Sequence, residues 1–309
     1  MSSEIRGVLA TPFTPFTPRG EIDEETLGLL LDFQLKGGVH GLWVLGTAGQ
    51  GPAMSPEERM QVCETIIGLV RHRIPVIVQV GTPDTPTTVK LALHAERAGA
   101  DAVSSLPPFY FPHNEYEIFQ HFATLARSVN LPVYVYNNPT TTHIDITPET
   151  LNRLNLETKN VIGVKESNDT LRKLQDELKL LPKDFQIFPG YERYLLPTLP
   201  YGGRGCTSIP CANSFPEVTA ELYHSIQKRD WSRALELQGL VYDIYWLFYR
   251  VSPSLRVASE EALRFRGYDV KLLPRWSDRQ ASEEERARVR AEVKAIAEKL
   301  GTYVTLRAS

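Results

Sequence analysis

The sequence predicts an α/β fold, a (β/α)₈ TIM barrel with a C-terminal helical extension. Short β-branched runs alternate with longer segments of helical period, glycines stand where helices return to strands, and no strand signal follows Trp231. Eight strand-helix units occupy about 225 residues, the size of a closed barrel. We therefore divide the chain into a barrel domain, residues 1–230, and a helical extension, residues 231–309.

The eight predicted strands are short and mostly apolar, as expected for strands that are buried on both faces. They cover Gly7 to Thr11, Gly41 to Leu45, Pro75 to Val80, Ala102 to Ser105, Val133 to Asn137, Val161 to Glu166, Gln186 to Pro189 and Gly205 to Ser208. A doubly wound sheet is the rival arrangement. It would normally show a glycine-rich phosphate loop after the first strand, whereas this strand ends Thr11-Pro12-Phe13.

The helices between these strands have readable ends. Ser55-Pro56-Glu57-Glu58 combines a capping serine, a first-turn proline and the glutamate of a capping box, and Asn114 and Thr147 open similar helices. Glycines suited to left-handed helix ends precede three strands: Gly37-Gly38, Gly99 and Gly202-Gly203. The extension is expected to form helices over about 231–250, 255–266 and 283–299. The last of them mixes charges at helical spacing, as a solvated surface helix does.

Composition excludes several classes of function. The 309 residues carry 34 basic and 37 acidic side chains without a Lys/Arg-dense run, which argues against nucleic-acid binding. No stretch approaches the roughly 18 consecutive apolar residues of a membrane span, and the N-terminal segment lacks the apolar run of an export signal. Cys63, Cys206 and Cys211 lack CxxC spacing, so neither a disulfide framework nor a zinc site is predicted. We expect a cytoplasmic protein.

Reactive side chains stand at the carboxyl ends of strands, where barrel enzymes keep their active sites. Lys165 lies in an apolar strand, and desolvation lowers the pKa of a buried lysine toward that of a usable amine nucleophile. The alternative is a lysine that reaches solvent or pairs with Glu166. Tyr136 faces the same side of its strand as Tyr134, the barrel interior, where it could relay a proton or simply pack.

The turn after the second strand is rich in glycine and reads Gly46-Thr47-Ala48-Gly49-Gln50-Gly51. Its backbone amides could hold a small carboxylate, and Thr47 could extend a proton relay from Tyr136. Such turns also arise for purely conformational reasons. The turn by itself leaves both interpretations open.

Taken together, these motifs resemble the N-acetylneuraminate lyase and dihydrodipicolinate synthase superfamily of pyruvate-dependent class I aldolases over essentially the whole chain. Six motifs carry the resemblance in order and spacing. They are ATPF in the first strand, GTAGQGPAMSPEER at Gly46 to Arg59, PPFYFP at Pro107 to Pro112, YNNP at Tyr136 to Pro139, GVKES at Gly163 to Ser167 and PGYE at Pro189 to Glu192.

The resemblance implies catalytic roles for three residues. Lys165 would form an imine with the keto carbon of pyruvate or a 2-keto acid, Tyr136 would carry the proton, and Thr47 would support Tyr136. Because the lysine itself supplies the electron sink, no metal or organic cofactor is expected.

The resemblance also implies substrate-binding roles. Backbone amides of the GTAG turn, with Ala48 in it, would hold the carboxylate, and Gly190 and Thr207 would offer carbonyls to the keto acid. Ser167 and Glu192 would bind hydroxyls of a sugar-derived chain. Tyr110 belongs to the aromatic segment that reaches toward a neighbouring active site. This segment and the helical extension predict a homotetramer or homodimer.

Three departures from the family pattern bear on the substrate. Ala48 stands where threonine or serine is usual, and Gln50 stands where glutamate is commonest. Dihydrodipicolinate synthases carry an arginine at the position of Thr141, to hold the carboxylate of their aldehyde substrate. That activity is therefore less expected, and the run YNNPTTTHIDI is closer to the 2-keto-3-deoxygluconate aldolases.

We accordingly expect a lyase that reversibly cleaves a 2-keto-3-deoxy sugar acid, such as 2-keto-3-deoxygluconate, to pyruvate and an aldehyde. N-acetylneuraminate lyase is the close alternative. A sugar acid dehydratase is another, because Ala48 and Gln50 alter the relay. The intact Lys165, Tyr136 and Thr47 disfavour a non-enzymatic binding protein. The expected partners are small molecules, with no nucleic acid and no membrane.

Overall fold

The computed structural model describes residues 4–276 and 279–301. Its strands are β1 (Gly7–Ala10), β2 (Gly41–Val44), β3 (Val76–Gln79), β4 (Ala102–Ser105), β5 (Val133–Asn137), β6 (Val161–Glu166), β7 (Gln186–Pro189) and β8 (Gly205–Ser208). They form one parallel sheet in the order β7-β6-β5-β4-β3-β2-β1-β8. Beside β7, the N–H of Arg204 donates to the carbonyl of Ile187 at 3.0 Å, which brings the two ends of the sheet together. The predicted (β/α)₈ barrel is confirmed.

Helices follow the strands around the barrel. They are α1 (Glu24–Lys36), α2 (Pro56–Val70), α3 (Thr85–Ala98), α4 (Glu115–Ser128), α5 (Pro139–Thr142), α6 (Pro148–Thr158), α7 (Leu171–Leu180), α8 (Leu195–Thr198), α9 (Pro216–Gln227), α10 (Trp231–Trp246), α11 (Leu255–Phe265) and α12 (Glu283–Leu300). A π-helical turn, Leu247–Val251, continues α10. None of the described helices is long and apolar enough to cross a membrane.

Local sequence signals account for most element boundaries. Strands β4 to β8 have the predicted bounds, and β1 to β3 are at most one residue shorter at an end. Strand β2 stops because Leu45 takes a left-handed φ of 60°, and β3 begins after Pro75, which has no N–H to donate. The predicted capping box of α2 is present, with the Ser55 side chain accepting from the Glu58 N–H.

Large side chains fill the lower part of the barrel. Trp43, Tyr134 and Phe188 pack edge to face, with ring centroids 5.4 to 6.4 Å apart. As the strand alternation predicts, Tyr134 faces the interior, where its hydroxyl donates to Gln186 Oε1 at 2.7 Å. This packed layer closes the barrel beneath the carboxyl ends of the strands.

The C-terminal helices pack beside β1 and β8 in one apolar cluster, which includes Val8 and Cys206. Helix α12 is more than a solvated helix, because Val289 and Val293 are fully buried. Its Arg286 binds Glu260 at 2.8 Å and Glu261 at 2.7 Å, which fixes α12 against α11. The domain boundary at residue 230 stays a prediction.

Candidate active site

A bulge in β6 decides which side chains of this strand enter the barrel. The register between β5 and β6 runs Val133↔Val161, Tyr134↔Gly163 and Tyr136↔Lys165, so that Ile162 is an extra residue. Val161 and Val164, three positions apart, therefore both pack in the outer core. Lys165 enters the interior directly opposite Tyr136.

Gly163 makes the bulge compatible with the packed interior. A Cβ atom at this position would lie 2.4 Å from the carbonyl oxygen of Gln186 and 2.7 Å from the ring of Tyr134. Neither group can retreat freely, because one is backbone and the other is a fully buried ring. The glycine of the GVKES motif is thus a steric requirement of the site.

Lys165 is 2% exposed and lies among aromatic rings. Its Nζ atom is 4.2 Å from the ring centroid of Tyr136 and 5.4 Å from that of Trp43. Burial lowers the pKa of Lys165, although the neighbouring Tyr136 opposes this effect. Glu166 points to the other side of the strand, where it accepts from Asn137 Nδ2 at 2.8 Å. The lysine is therefore neither solvent-exposed nor directed toward Glu166.

The hydroxyl of Tyr136 lies at the centre of a small hydrogen-bond network. It is 3.1 Å from Thr47 Oγ1, and Asn138 Nδ2 donates to it at 3.2 Å. Burial raises the pKa of Tyr136, but the charge of Lys165 and these hydrogen bonds outweigh burial, so the pKa falls below its ordinary value. The network holds the phenol of Tyr136 beside the amine of Lys165.

Sequence reasoning missed Asn138. It is the second asparagine of YNNP, two residues beyond Tyr136, and it follows the end of β5. Its amide also reaches Thr47 Oγ1 at 3.4 Å. Alternation along the strand, which places residues i and i+2 on one side, was the signal that could have indicated it.

The turn after β2 needs glycine for steric reasons. A Cβ atom on Gly51 would lie 1.9 Å from the carbonyl oxygen of Leu45. The N–H groups of Gln50 and Gly51 are used within the turn, at 3.2 and 3.3 Å from the carbonyls of Thr47 and Gly46. The N–H groups of Thr47 and Ala48 come earlier in the same turn.

The side chains of the two departures in this turn, Ala48 and Gln50, contact other parts of the chain. Ala48 packs in an apolar cluster with Phe13. Gln50 is buried, and its Oε1 accepts from the N–H of Arg275 at 2.8 Å. The side chain of Gln50 is thus used for anchoring a distant segment.

Ser167 and Gly190 lie against each other at the ends of β6 and β7. The N–H of Gly190 donates to the carbonyl of Glu166 at 2.6 Å, and a Cβ atom on Gly190 would lie 1.9 Å from Ser167 Oγ. Thr207 is buried on β8, and its hydroxyl donates to the carbonyl of Pro189 at 3.4 Å. Their roles toward a substrate stay predictions.

Glu192 is buried against β8 and the residues that follow this strand. Its Oε1 accepts from Ser208 Oγ at 3.2 Å and from the Cys211 N–H at 2.9 Å, and burial raises its pKa. Ser208 faces the opposite side of β8 from Thr207. Hydroxyl binding by Glu192 stays a prediction, and its Oε2 has no hydrogen-bond partner in the described part of the chain.

The PPFYFP segment projects from the barrel. Tyr110 is 86% exposed, has a left-handed φ of 84°, and packs edge to face on Phe111 at 5.0 Å. A large aromatic side chain held outward in this way is what the predicted contact with a neighbouring subunit needs. That contact stays a prediction.

A cavity of about 230 Å³ opens beside Thr47 at the mouth of the barrel. Its described lining residues are uncharged and come from the β2 turn, the loop after β4, α5 and the C-terminal segment: Thr47, Gln50, Pro52, Ala53, Leu106, Phe109, Thr141, Thr142 and Trp276. Sequence reasoning did not place Trp276 here. Across residues 4–276 and 279–301, no group of three His, Cys, Asp or Glu side chains could hold a metal ion.

Comparison with known proteins adds a family. The model of the Dihydrodipicolinate synthetase family matches residues 4–296. The 4-hydroxy-tetrahydrodipicolinate synthase of Bartonella bacilliformis is 36% identical over 251 residues, which are 81% of this chain and 85% of that protein. That of Desulfotalea psychrophila is 34% identical over 273 residues, 88% of this chain and 90% of that protein.

Solved structures agree with the sequence comparison. YagE, a prophage protein of the dihydrodipicolinic acid synthase family from E. coli K12 solved in complex with pyruvate, superposes with a TM-score of 0.90 at 28% identity. The match covers 96% of this chain and 99% of that one. A monomeric dihydrodipicolinate synthase variant superposes with a TM-score of 0.86 at 29% identity, covering 95% of this chain and 97% of the other.

Proposed function

Because the chain belongs to the dihydrodipicolinate synthetase family, whose members are carbon-carbon lyases of the aldolase type, we propose that it cleaves a 2-keto-3-deoxy sugar acid to pyruvate and an aldehyde through a Schiff base. One observation carries the proposal. Buried Lys165 lies opposite Tyr136, whose hydroxyl bonds to Thr47. Imine chemistry needs an amine with a lowered pKa and a proton carrier beside it.

The first half of the reaction forms the imine. Neutral Nζ of Lys165 attacks C2 of the keto acid and passes one of its protons to the C2 oxygen. The hydroxyl of Tyr136 gives this oxygen a second proton, and it leaves as water. Tyr136 is then a phenolate, and Asn138 and Thr47 stabilise it through the network around its oxygen. The iminium next to C3 is the electron sink for the second half.

The second half breaks the carbon-carbon bond. The Tyr136 phenolate takes the proton of the C4 hydroxyl, the C3–C4 bond breaks, the aldehyde leaves, and the electron pair enters the iminium to give an enamine. Tyr136 then gives this proton to C3, and water hydrolyses the iminium to release pyruvate and free Lys165 while the proton set free returns to Tyr136. The N–H groups of Thr47 and Ala48 hold the carboxylate throughout, and the Gly190 and Thr207 carbonyls face the keto acid.

The chemistry of the cavity supports an uncharged aldehyde such as the one that 2-keto-3-deoxygluconate yields. Thr141 lines the cavity, and none of the lining residues within 4–276 and 279–301 is charged. A carboxylate-bearing aldehyde would lose hydration there without gaining a cationic partner. The use of Gln50 as an anchor also weakens the argument for a dehydratase with an altered relay.

The names of the relatives favour a second candidate, 4-hydroxy-tetrahydrodipicolinate synthase. The two candidates use the same imine and differ in the aldehyde. A screen that offers pyruvate with glyceraldehyde and with aspartate semialdehyde separates them. Faster condensation with aspartate semialdehyde would contradict our proposal and indicate the synthase. Loss of water from the sugar acid without release of an aldehyde would indicate the dehydratase.

The test of the imine is intact-mass analysis after incubation with pyruvate and borohydride, because reduction fixes an imine on its lysine. We expect one adduct on the wild-type protein, none on Lys165→Ala, and one on Lys90→Ala, an exposed lysine of α3. An adduct that persists in Lys165→Ala would refute the assignment. Lack of an adduct on the wild-type protein would refute pyruvate chemistry.

We also propose that the protein assembles as a homotetramer or homodimer in the cytoplasm. The outward aromatic pair Tyr110 and Phe111 supports assembly. Light scattering tests it, since a monomeric mass at micromolar concentration would contradict the proposal. Tyr110→Ala should shift the mass toward the monomer, whereas Tyr201→Ala, another exposed tyrosine, is the matched control.

A further inference from the structure

We propose that Trp276 determines substrate specificity by forming the wall of the pocket that receives the aldehyde-derived end of the substrate, where it selects an uncharged carbon chain. This inference rests on the proposed aldolase function. The pocket holds about 230 Å³ and is shared with the reaction centre through Thr47, whose hydroxyl is 3.1 Å from that of Tyr136. A chain that extends from C4 of the substrate would enter it.

Trp276 comes from the segment between α11 and α12, far from the barrel mouth in sequence. The preceding residue, Arg275, fixes it there. The N–H of Arg275 donates to Gln50 Oε1 at 2.8 Å, and its guanidinium bonds to the Glu58 carboxylate and the Gly20 carbonyl. The guanidinium also lies 5.2 Å from the centre of the Phe16 ring.

The segment is anchored before Arg275 as well. The N–H of Leu272 donates to buried Glu260 at 2.8 Å, and Leu273 forms an antiparallel bridge with Phe16. Through these contacts, Leu272 is held by α11, and Leu273 and Arg275 are held by the N-terminal part of the barrel. The guanidinium of Arg256 also lies 5.3 Å from the centre of the Trp276 ring, so the side chain is held in place, and the residue is 51% exposed.

The facing walls indicate what the pocket binds. Leu106 and Phe109 provide apolar surface, while Thr47 and Thr141 provide hydroxyls. An aromatic face with a few hydroxyl groups suits the C–H and O–H groups of a short hydroxylated chain. A carboxylate or phosphate on that chain would be desolvated without a charged partner among the lining residues that the structure describes.

The test measures aldehyde selectivity in the synthesis direction. Pyruvate is offered with glycolaldehyde, glyceraldehyde, erythrose and the carboxylate-bearing succinic semialdehyde. For Trp276→Ala we expect the ratio of kcat/KM for glyceraldehyde over glycolaldehyde to fall about tenfold, mainly through KM, because only the longer chain reaches the wall. Trp276→Phe keeps an aromatic face and should retain most of the ratio. Trp246→Ala, an exposed tryptophan of α10, is the matched control.

Two results would overturn the inference. One is a Trp276→Ala protein with unchanged selectivity, and the other is an equal fall for every aldehyde, which a structural defect would produce. Preference of the wild-type protein for succinic semialdehyde would also refute the uncharged pocket. Borohydride trapping of the wild-type protein with pyruvate tests the aldolase function separately, so the two failures are distinguishable.

Gln50 is the positioning residue in this arrangement. Gln50→Ala removes the acceptor of the Arg275 N–H and should lower the same selectivity ratio as Trp276→Ala. Gln50→Glu keeps an acceptor at that place and should restore the ratio. A purely structural role for Gln50 would instead lower the melting temperature and change activity with all aldehydes alike, and that outcome would contradict the assignment.

Discussion

The Nζ atom of Lys165 lies 4.2 Å from the centre of the Tyr136 ring, and the two residues are direct cross-strand partners in β6 and β5. The contact places an amine and a phenol in one buried site. Tyr136 raises the pKa of Lys165, and Lys165 lowers the pKa of Tyr136. Burial shifts both pKa values in the opposite direction. The proposed imine mechanism requires such a pair, with Lys165 as the amine and Tyr136 as the proton carrier.

Removal of the Tyr136 hydroxyl should slow the reaction and leave the packing intact. For Tyr136→Phe we expect kcat to fall about 10²- to 10⁴-fold, the range of general acid-base contributions. Single-turnover trapping with borohydride should show slower imine formation. Tyr134→Phe, which loses a hydroxyl that binds only Gln186 below the site, is the control. A Tyr136→Phe protein with activity within threefold of wild type would refute the relay.

Removal of the Asn138 amide should raise the pKa of Tyr136. The amide donates to the tyrosine oxygen and so favours the phenolate. Because the reaction starts from the protonated phenol, loss of the amide should move the falling limb of the pH–rate profile to higher pH by about 0.5 to 1 unit. Kinetics of Asn138→Ala across pH check this. Thr140→Ala is the control, because Thr140 binds the other end of the same amide at 2.8 Å. An unchanged profile would contradict the assignment.

Substitution of Gly163 should destabilise the barrel at the bulge. The added methyl of Gly163→Ala meets the Gln186 carbonyl and the Tyr134 ring, and we expect a loss of about 1–3 kcal/mol in the free energy of unfolding. Urea unfolding measures it. Gly68→Ala in α2 meets nothing within 4 Å and should stabilise by about 0.5–1 kcal/mol. Equal stability of both variants would show that the interior tolerates the methyl.

The buried carboxyl of Glu177 on α7 should make stability depend on pH. Burial raises the pKa of Glu177 well above its ordinary value, and the adjacent Glu166 carboxyl raises it further. Native protein therefore keeps a proton that the unfolded chain releases. The free energy of unfolding should then fall as pH rises above the ordinary carboxyl pKa of about 4.3 toward the native one.

Glu177→Gln removes this titration, so its stability advantage over wild type should grow as pH rises through that window. Thermal unfolding at a series of pH values measures the difference. Glu157→Gln changes a carboxyl that is largely solvent-exposed and serves as control. Stability curves of wild type and Glu177→Gln that stay parallel with pH would refute the protonated carboxyl.

Much of this protein can be predicted from sequence because the signals are local. Apolar runs specify the strands, and residues such as Ser55 and Glu58 specify helix starts through contacts three positions apart. Lys165, Tyr136 and Thr47 follow from their positions at strand ends together with the family resemblance. In a barrel all strand ends meet at one face, so residues far apart in sequence are expected to converge there.

Only the tertiary structure decided the register between β5 and β6 and the position of Trp276 in the wall of the cavity. The bulge at Ile162 turns Lys165 toward Tyr136, and a bulge depends on how two strands pair, which no local pattern records. Likewise, the bond between Gln50 and Arg275 joins residues 225 positions apart and places Trp276 at the barrel mouth. The sequence by itself determined that Lys165 lies in an apolar strand, because its neighbours Val161, Ile162 and Val164 are apolar. The shape of the aldehyde pocket depends on contacts between distant segments that exist only after the chain has folded.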